Sequence, residues 1–206
     1  MVYCIRRSAT RDSVLRATRA VSKEVRMRIP SERECLALLE KYGTPDHIIR
    51  HSRKVWEVGK IVGEGLLRRD HPVNLSLLRA SCLLHDIGKY PCILDGTKYH
   101  DIRGEQILEA EGFFSIARVV VQHVILRSEI EAPLKEEHVL YYADKRVVHD
   151  RVVSLEDRFL YLKQTYGRNA EAIEWLTLMK QQTQQLEDAI FILLDFDPED
   201  VMSLLV

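Results

Sequence analysis

Residues 75–91 read LSLLRASCLLHDIGKYP, and this stretch decides the fold. Asn74 stands before it as an N-cap, able to accept hydrogen bonds from the backbone of a first helical turn. Leu75, Leu77, Leu78, Ala80, Cys82, Leu83 and Leu84 then crowd a window free of Gly and Pro. That density predicts a helix buried on most of its surface, ending at His85-Asp86-Ile87-Gly88-Lys89 ahead of Pro91. An imidazole and a carboxylate at such an end cost on the order of several kcal/mol to bury unless a partner satisfies them. A divalent metal is such a partner. Neighbouring helical side chains diverge by about 100°, so both can reach one ion only at a helix terminus or a site flanked by other helices. The other ligands then come from distant parts of the chain.

Upstream, Ser31 and Glu34 form a capping box for a short first helix carrying Leu36, Leu38 and Leu39, with Gly43 as its stop. Thr44 caps a second helix with Pro45 at its first position; His47, Ile48, His51, Val55, Val58 and Val62 recur at helical spacing before Gly63 and Gly65 end it. This helix turns His51 inward. Downstream, helical patterns cover 101–111, 115–127, 133–149, 154–166 and 169–194, with a last short turn from Asp197-Pro198. Phe113, Phe114, Ile116, Phe159, Leu160 and Trp175 read as core or helix packing, and His71, His138 and His149 as surface. No segment alternates with period two and none repeats, so the expected fold is all-α: a single compact helical bundle over residues 29–206, with a C-terminal helical segment.

Composition agrees. Only 9 Gly and 6 Pro interrupt 206 residues, which favours helices. Residues 1–28 hold eight basic groups against two acidic ones, whereas the remainder holds 22 basic and 29 acidic residues. The first segment reads as a basic extension, poorly ordered or an upstream-start artefact; the acidic body excludes nonspecific nucleic-acid binding by the main domain. The four cysteines form no CxxC pair, and no stretch approaches the roughly 18 apolar residues of a membrane span. A cytoplasmic protein with no membrane association is expected.

Four further residues sit on or beside apolar stripes: His51, His100 in HDIRG, His123 in VVVQHV, and Asp144 in YYADKRV. Singly, each is an ordinary core residue. Together with His85 and Asp86 they outline a metal-ligand set of histidines and carboxylates, suited to borderline ions rather than calcium.

The order His51, then His85-Asp86, then Asp144 within an Ala-Asp pair resembles the HD superfamily of metal-dependent phosphohydrolases, and the HDIGK form at 85–89 sharpens the likeness. It covers roughly residues 31–165. The resemblance implies that His51, His85, Asp86 and Asp144 hold one metal, that His100 and His123 match the extra ligands of two-metal members, and that Asp86 bridges the two ions. It leaves Fe, Mn, Mg, Ni, Co and Zn undistinguished. The step from His100 to Gly104 is similar to that of bacterial diadenosine tetraphosphate hydrolases, where a small residue lets the helix pack close. Gln122-His123 departs from the paired histidines of the cyclic-dinucleotide phosphodiesterase branch.

The implied activity is hydrolysis of a phosphate ester or anhydride in a small nucleotide-like substrate by metal-activated hydroxide, with Asp86 and Lys89 as catalytic residues. Lys89 is placed to meet phosphate oxygens or a leaving group; Lys145, Arg146 and His47 are further substrate-contact candidates. For Lys145 and Arg146 a solvated face paired with Asp150, Glu156 and Asp157 is the alternative. Two rival functions remain: a mixed-valent di-iron oxygenase similar to myo-inositol oxygenase, and a non-catalytic metal-binding regulatory module. The amphipathic C-terminal segment packs on its own bundle or pairs two copies as a homodimer.

Overall fold

The computed structural model describes residues 28–131 and 133–205. The basic extension read over 1–28 therefore lies outside the described residues except for Arg28, whose guanidinium pairs with Glu34 at 3.6 Å and rests over the Phe113 ring. The described helices are α1 (Glu32–Lys41), α2 (Asp46–Arg68), α3 (Leu75–Leu84), α4 (Lys89–Asp95), α5 (His100–Ala110), α6 (Phe114–Val120), α7 (Glu136–Lys145), α8 (Leu155–Tyr166) and α9 (Ala170–Phe191). A two-stranded hairpin, β1 (Val147–Val148) and β2 (Arg151–Val152), follows α7, and a 3₁₀ helix (Pro198–Leu205) follows α9. The fold is all-α apart from that hairpin. Among the described residues no helix is long and apolar enough to cross a membrane.

The bundle is built around α3. Its Leu77, Leu78, Ala80, Ser81, Cys82, Leu83 and Leu84 are buried, and it packs against α1, α2, α6 and α7. Each fully buried leucine contributes about 1.5–3 kcal/mol, enough to hold the end of this helix at the centre of the molecule. Caps start the helices where the sequence requires them. Ser31 and Glu34 exchange both bonds of a capping box, and Asn74 Oδ1 accepts from the backbone N–H groups of Ser76 and Leu77 at 3.1 Å each.

Several boundaries differ from expectation. α2 runs to Arg68, past both glycines expected to stop it. A Cβ at Gly63 would lie 2.8 Å from Leu78 Cδ2 and 2.9 Å from Leu75 Cδ2, and one at Gly65 would lie 2.8 Å from Leu194 Cδ2. These glycines are notches that let α3 and the C-terminal segment pack onto α2, not helix ends. α4 occupies a stretch for which no helix was expected. The helix expected over 133–149 stops at Lys145, where the hairpin takes over; Val147 pairs with Val152 and Val148 with Arg151, and His149 turns the chain at φ 57°. Of the positions read as core or helix packing, Phe114, Leu160 and Trp175 are about half exposed and so lie outside the core. His138, read as surface, is buried: its Nδ1 accepts from the Lys135 N–H at 3.0 Å and its Nε2–H donates to the Glu129 carbonyl at 2.9 Å.

The close approach that seats the site falls at Gly88 rather than at Gly104. A Cβ on Gly88 would stand 2.2 Å from the His100 carbonyl oxygen and 2.5 Å from the Gly104 nitrogen, backbone that cannot yield. A Cβ on Gly104 would meet nothing closer than 3.5 Å. The turn after α3 is therefore pressed directly on the first turn of α5, the turn that carries His100.

Gly88→Ala is expected to lose at least the roughly 3 kcal/mol at the upper end of overpacking costs, by urea unfolding. Gly104→Ala should stay within about 1 kcal/mol of the parent, since alanine is the better helix former. Burial holds the His138 imidazole below its ordinary pKa of 6.5. The unfolded chain then binds a proton that the folded one refuses, so this contribution to stability is complete above about pH 6.5 and declines as pH falls below it. Unfolding free energy should drop on acidification, and His138→Gln should flatten that slope.

Candidate metal centre

Six side chains from five parts of the fold meet in one cluster at the end of α3. His51 comes from the second turn of α2, His85 and Asp86 from the turn after α3, His100 from the start of α5, His123 from the turns after α6, and Asp144 from the end of α7. His51 Nε2 lies 3.1 Å from Asp144 Oδ1, and His85 Nε2 lies 3.6 Å from that oxygen and 3.5 Å from Asp86 Oδ2. On the other side, Asp86 Oδ1 is 3.5 Å from His100 Nε2 and 3.7 Å from His123 Nε2, and those two nitrogens face each other at 3.2 Å. The Asp86 carboxylate thus turns one oxygen to each half of the cluster.

Backbone carbonyls set the direction of three imidazoles. His51 Nδ1–H donates to the His149 carbonyl at 2.7 Å, His85 Nδ1–H to Cys82 at 2.8 Å, and His123 Nδ1–H to Val120 at 2.7 Å. Each bond leaves an Nε2 lone pair aimed into the cluster. The carbonyl that orients His51 belongs to the residue at the tip of the hairpin, which gives that small element its structural purpose. Burial pushes the pKa of His85 down to about 3 and that of His100 to about 4, so both are neutral and able to act as ligands near pH 7. Burial by itself would raise Asp86 and Asp144. The positive charge of Lys89 holds Asp86 well below the usual carboxylate range, and that of Lys145, with Arg158, does the same for Asp144.

This donor set fits divalent metal. His85 Nε2 is buried without a hydrogen-bond partner, and the ligand atoms of His51, His85 and Asp144, and of His85, Asp86 and His123, lie within 4.8 Å of one another. Lone pairs and carboxylate oxygens that converge without protons between them need a cation.

Residues 48–162, more than half of the chain, match the HD domain family. The chain belongs to the HD-domain family. Two curated proteins, both tRNA (cytidine(56)-2'-O)-methyltransferases, are similar to this HD-domain chain. The one from Thermoplasma volcanium is 28% identical over 142 residues, covering 62% of this chain and 40% of the relative. The one from Picrophilus torridus is 30% identical over 142 residues, covering 62% and 39%. The chain therefore spans about two-fifths of the length of these relatives. No solved structure matched it.

A cavity of about 500 Å³ opens over the His51 and Asp86 side of the HD-domain cluster. Lys89 lines it, with Nζ 3.0 Å from Asp86 Oδ2, a contact that keeps the ammonium protonated. His47 stands exposed at its mouth, beside Arg50 and Asp150, which pair at 3.4 Å.

Lys145 and Arg146 do not lie where the sequence suggested; neither lines the cavity and both are buried. Lys145 Nζ donates to Asp144 Oδ2 at 2.9 Å and to the His123 carbonyl at 2.6 Å, with the Tyr141 ring 4.3 Å away. It ties a carboxylate of one half to the backbone of the other. Arg146 turns away from the cluster: its guanidinium bonds the Tyr142 hydroxyl, the carbonyls of Val153 and Pro198, and Glu187 at 3.4 Å. Its acidic partner is on α9, not among the neighbours Asp150, Glu156 and Asp157, because the chain reverses at the hairpin. Sequence reading missed Arg158, whose Nη2 lies 4.0 Å from Asp144 Oδ1 and which lines the cavity with Tyr161 and Tyr166. A signal was present. Arg158 sits three residues after Leu155 and four before Leu162, a cation on the buried stripe of α8.

Lys145→Met keeps the volume and removes the tie. Metal content of the purified variant should fall, with an affinity loss of about 10–100-fold in competition with a chelator while the helical circular dichroism is retained.

Proposed function

We propose that this chain is a metal-dependent phosphohydrolase acting on small nucleotide-like phosphate substrates. The observation that supports it best is the joining of a two-sided cluster of ion ligands to a nucleotide-sized cavity whose inner wall carries cations, Lys89 and Arg158. His51, His85, Asp86 and Asp144 would hold one ion, and Asp86, His100 and His123 a second. Such ions lower the pKa of a nearby water and offset charge gathering on phosphoryl oxygens.

The protein groups then have separate tasks. Lys89, kept charged by Asp86, donates to a phosphoryl or leaving-group oxygen and serves as neither base nor nucleophile. In the reaction, the oxygen of water bonds to phosphorus, the bond from phosphorus to the leaving oxygen breaks, and that oxygen takes up a proton. Tyr161 and Tyr166 on α8 offer aromatic surface for the organic part of the substrate. Because the curated relatives are named as tRNA methyltransferases, RNA-derived nucleotides belong in the substrate panel.

Protein purified without chelators should contain divalent metal and release phosphate from nucleotide substrates under anaerobic conditions. Asp86→Asn should lower that release by more than about a hundredfold, beyond the loss from an outer partner. A metal-loaded protein that releases no phosphate, and instead consumes oxygen with a polyol, would replace this reading with the di-iron oxygenase. Unchanged turnover in Asp86→Asn would leave a metal-binding module.

A further inference from the structure

Of the cations that follow Asp144 along the chain, Lys145 and Arg146 are fully engaged. Lys145 is bonded to Asp144 and His123, and Arg146 to four oxygens on α7, β2's end, α9 and the 3₁₀ helix. Arg158 differs. Its side chain is only 13% exposed, yet among the described residues its guanidinium makes no hydrogen bond. Its Nε is sealed from solvent without a partner. The nearest opposite charge, Asp144 Oδ1, stands at 4.0 Å, and the Tyr161 ring lies 5.9 Å from its Cζ. A guanidinium carries five donors, and the one on Nε, sealed without a partner, is costly to leave unmet. The packing of Leu155, Phe159 and Leu162 into the core holds Arg158 there all the same, with its head on the wall of the cavity above the cluster.

We propose that Arg158 anchors the phosphoryl group of the substrate and selects for a terminal one; this rests on the phosphohydrolase reading. The planar fork of a guanidinium matches two oxygens on one phosphorus. Lys89, against Asp86 on the same cavity, asks for another oxygen, and the cluster for at least one. A terminal phosphoryl group, as in a monoester or at the end of a polyphosphate, brings three non-bridging oxygens and up to two negative charges. An internal diester brings two oxygens and one charge, and must leave donors unmet.

The test uses metal-loaded full-length protein with Arg158→Gln and Arg158→Lys. Inorganic phosphate binding is measured by titration calorimetry, and KM and kcat with p-nitrophenyl phosphate and bis(p-nitrophenyl) phosphate. Loss of charge-assisted bonds predicts that Arg158→Gln weakens phosphate binding and raises KM for the monoester about 10–100-fold, with metal content unchanged. The diester KM should move less than about threefold, and Arg158→Lys should recover part of the loss. Phosphate affinity unchanged in Arg158→Gln, or equal losses on both esters, overturns the proposal. So does loss of metal from both variants, which would make Arg158 a support of Asp144. If the parent protein hydrolyses neither ester, nor any nucleotide, the phosphohydrolase reading falls, while the phosphate titration still decides whether Arg158 binds the anion.

Discussion

Burial of His85 and Asp86 at the end of an apolar helix is the constraint on which the rest of this structure depends. α3 is apolar on nearly every side, so the bundle closes around it and carries two polar side chains into the interior with it. Their unmet hydrogen-bonding capacity cannot be left to water. The fold answers from four directions, with His51, His100, His123 and Asp144. The helices thus meet where a polar cluster needs them as much as where apolar surface does.

Around this cluster the backbone does much of the ordering. Carbonyls of residues 82, 120 and 149 orient three imidazoles, and each lies where a helix ends or a hairpin turns, the places where carbonyls lack intrahelical partners. Gly88 lets the turn after α3 touch the first turn of α5, which brings His100 within reach of Asp86. Lys145 joins the halves from behind, while Lys89 faces the cavity. Cations of similar chemistry are thereby divided between holding the centre and meeting what enters it.

Legibility differed by residue for physical reasons. The caps at Ser31 and Asn74 act within a few residues and appear as read. The helix ends placed at Gly63 and Gly65 did not, because a glycine that stops a helix and one that admits a neighbouring side chain look alike until the neighbour is known. His138, Lys145 and Arg146 carry polar heads that read as solvated, yet their partners lie up to 52 residues away or on the far side of a turn. Arg158 was legible in principle, as a charge on an apolar stripe.

The amino-acid order by itself determined the helical class, the apolar helix that must be buried, and a polar pair at its end in need of partners. These follow from periodicity and from the cost of burying unmet polar groups, both local properties of the chain. Only the tertiary structure decided which oxygen of Asp86 faces which histidines, that Gly88 rather than Gly104 is the point of closest approach, and that Arg158 rather than Arg146 faces the cavity. Those outcomes depend on how helices distant in sequence cross and on which donors the closed bundle leaves unmet, and no local pattern carries that information.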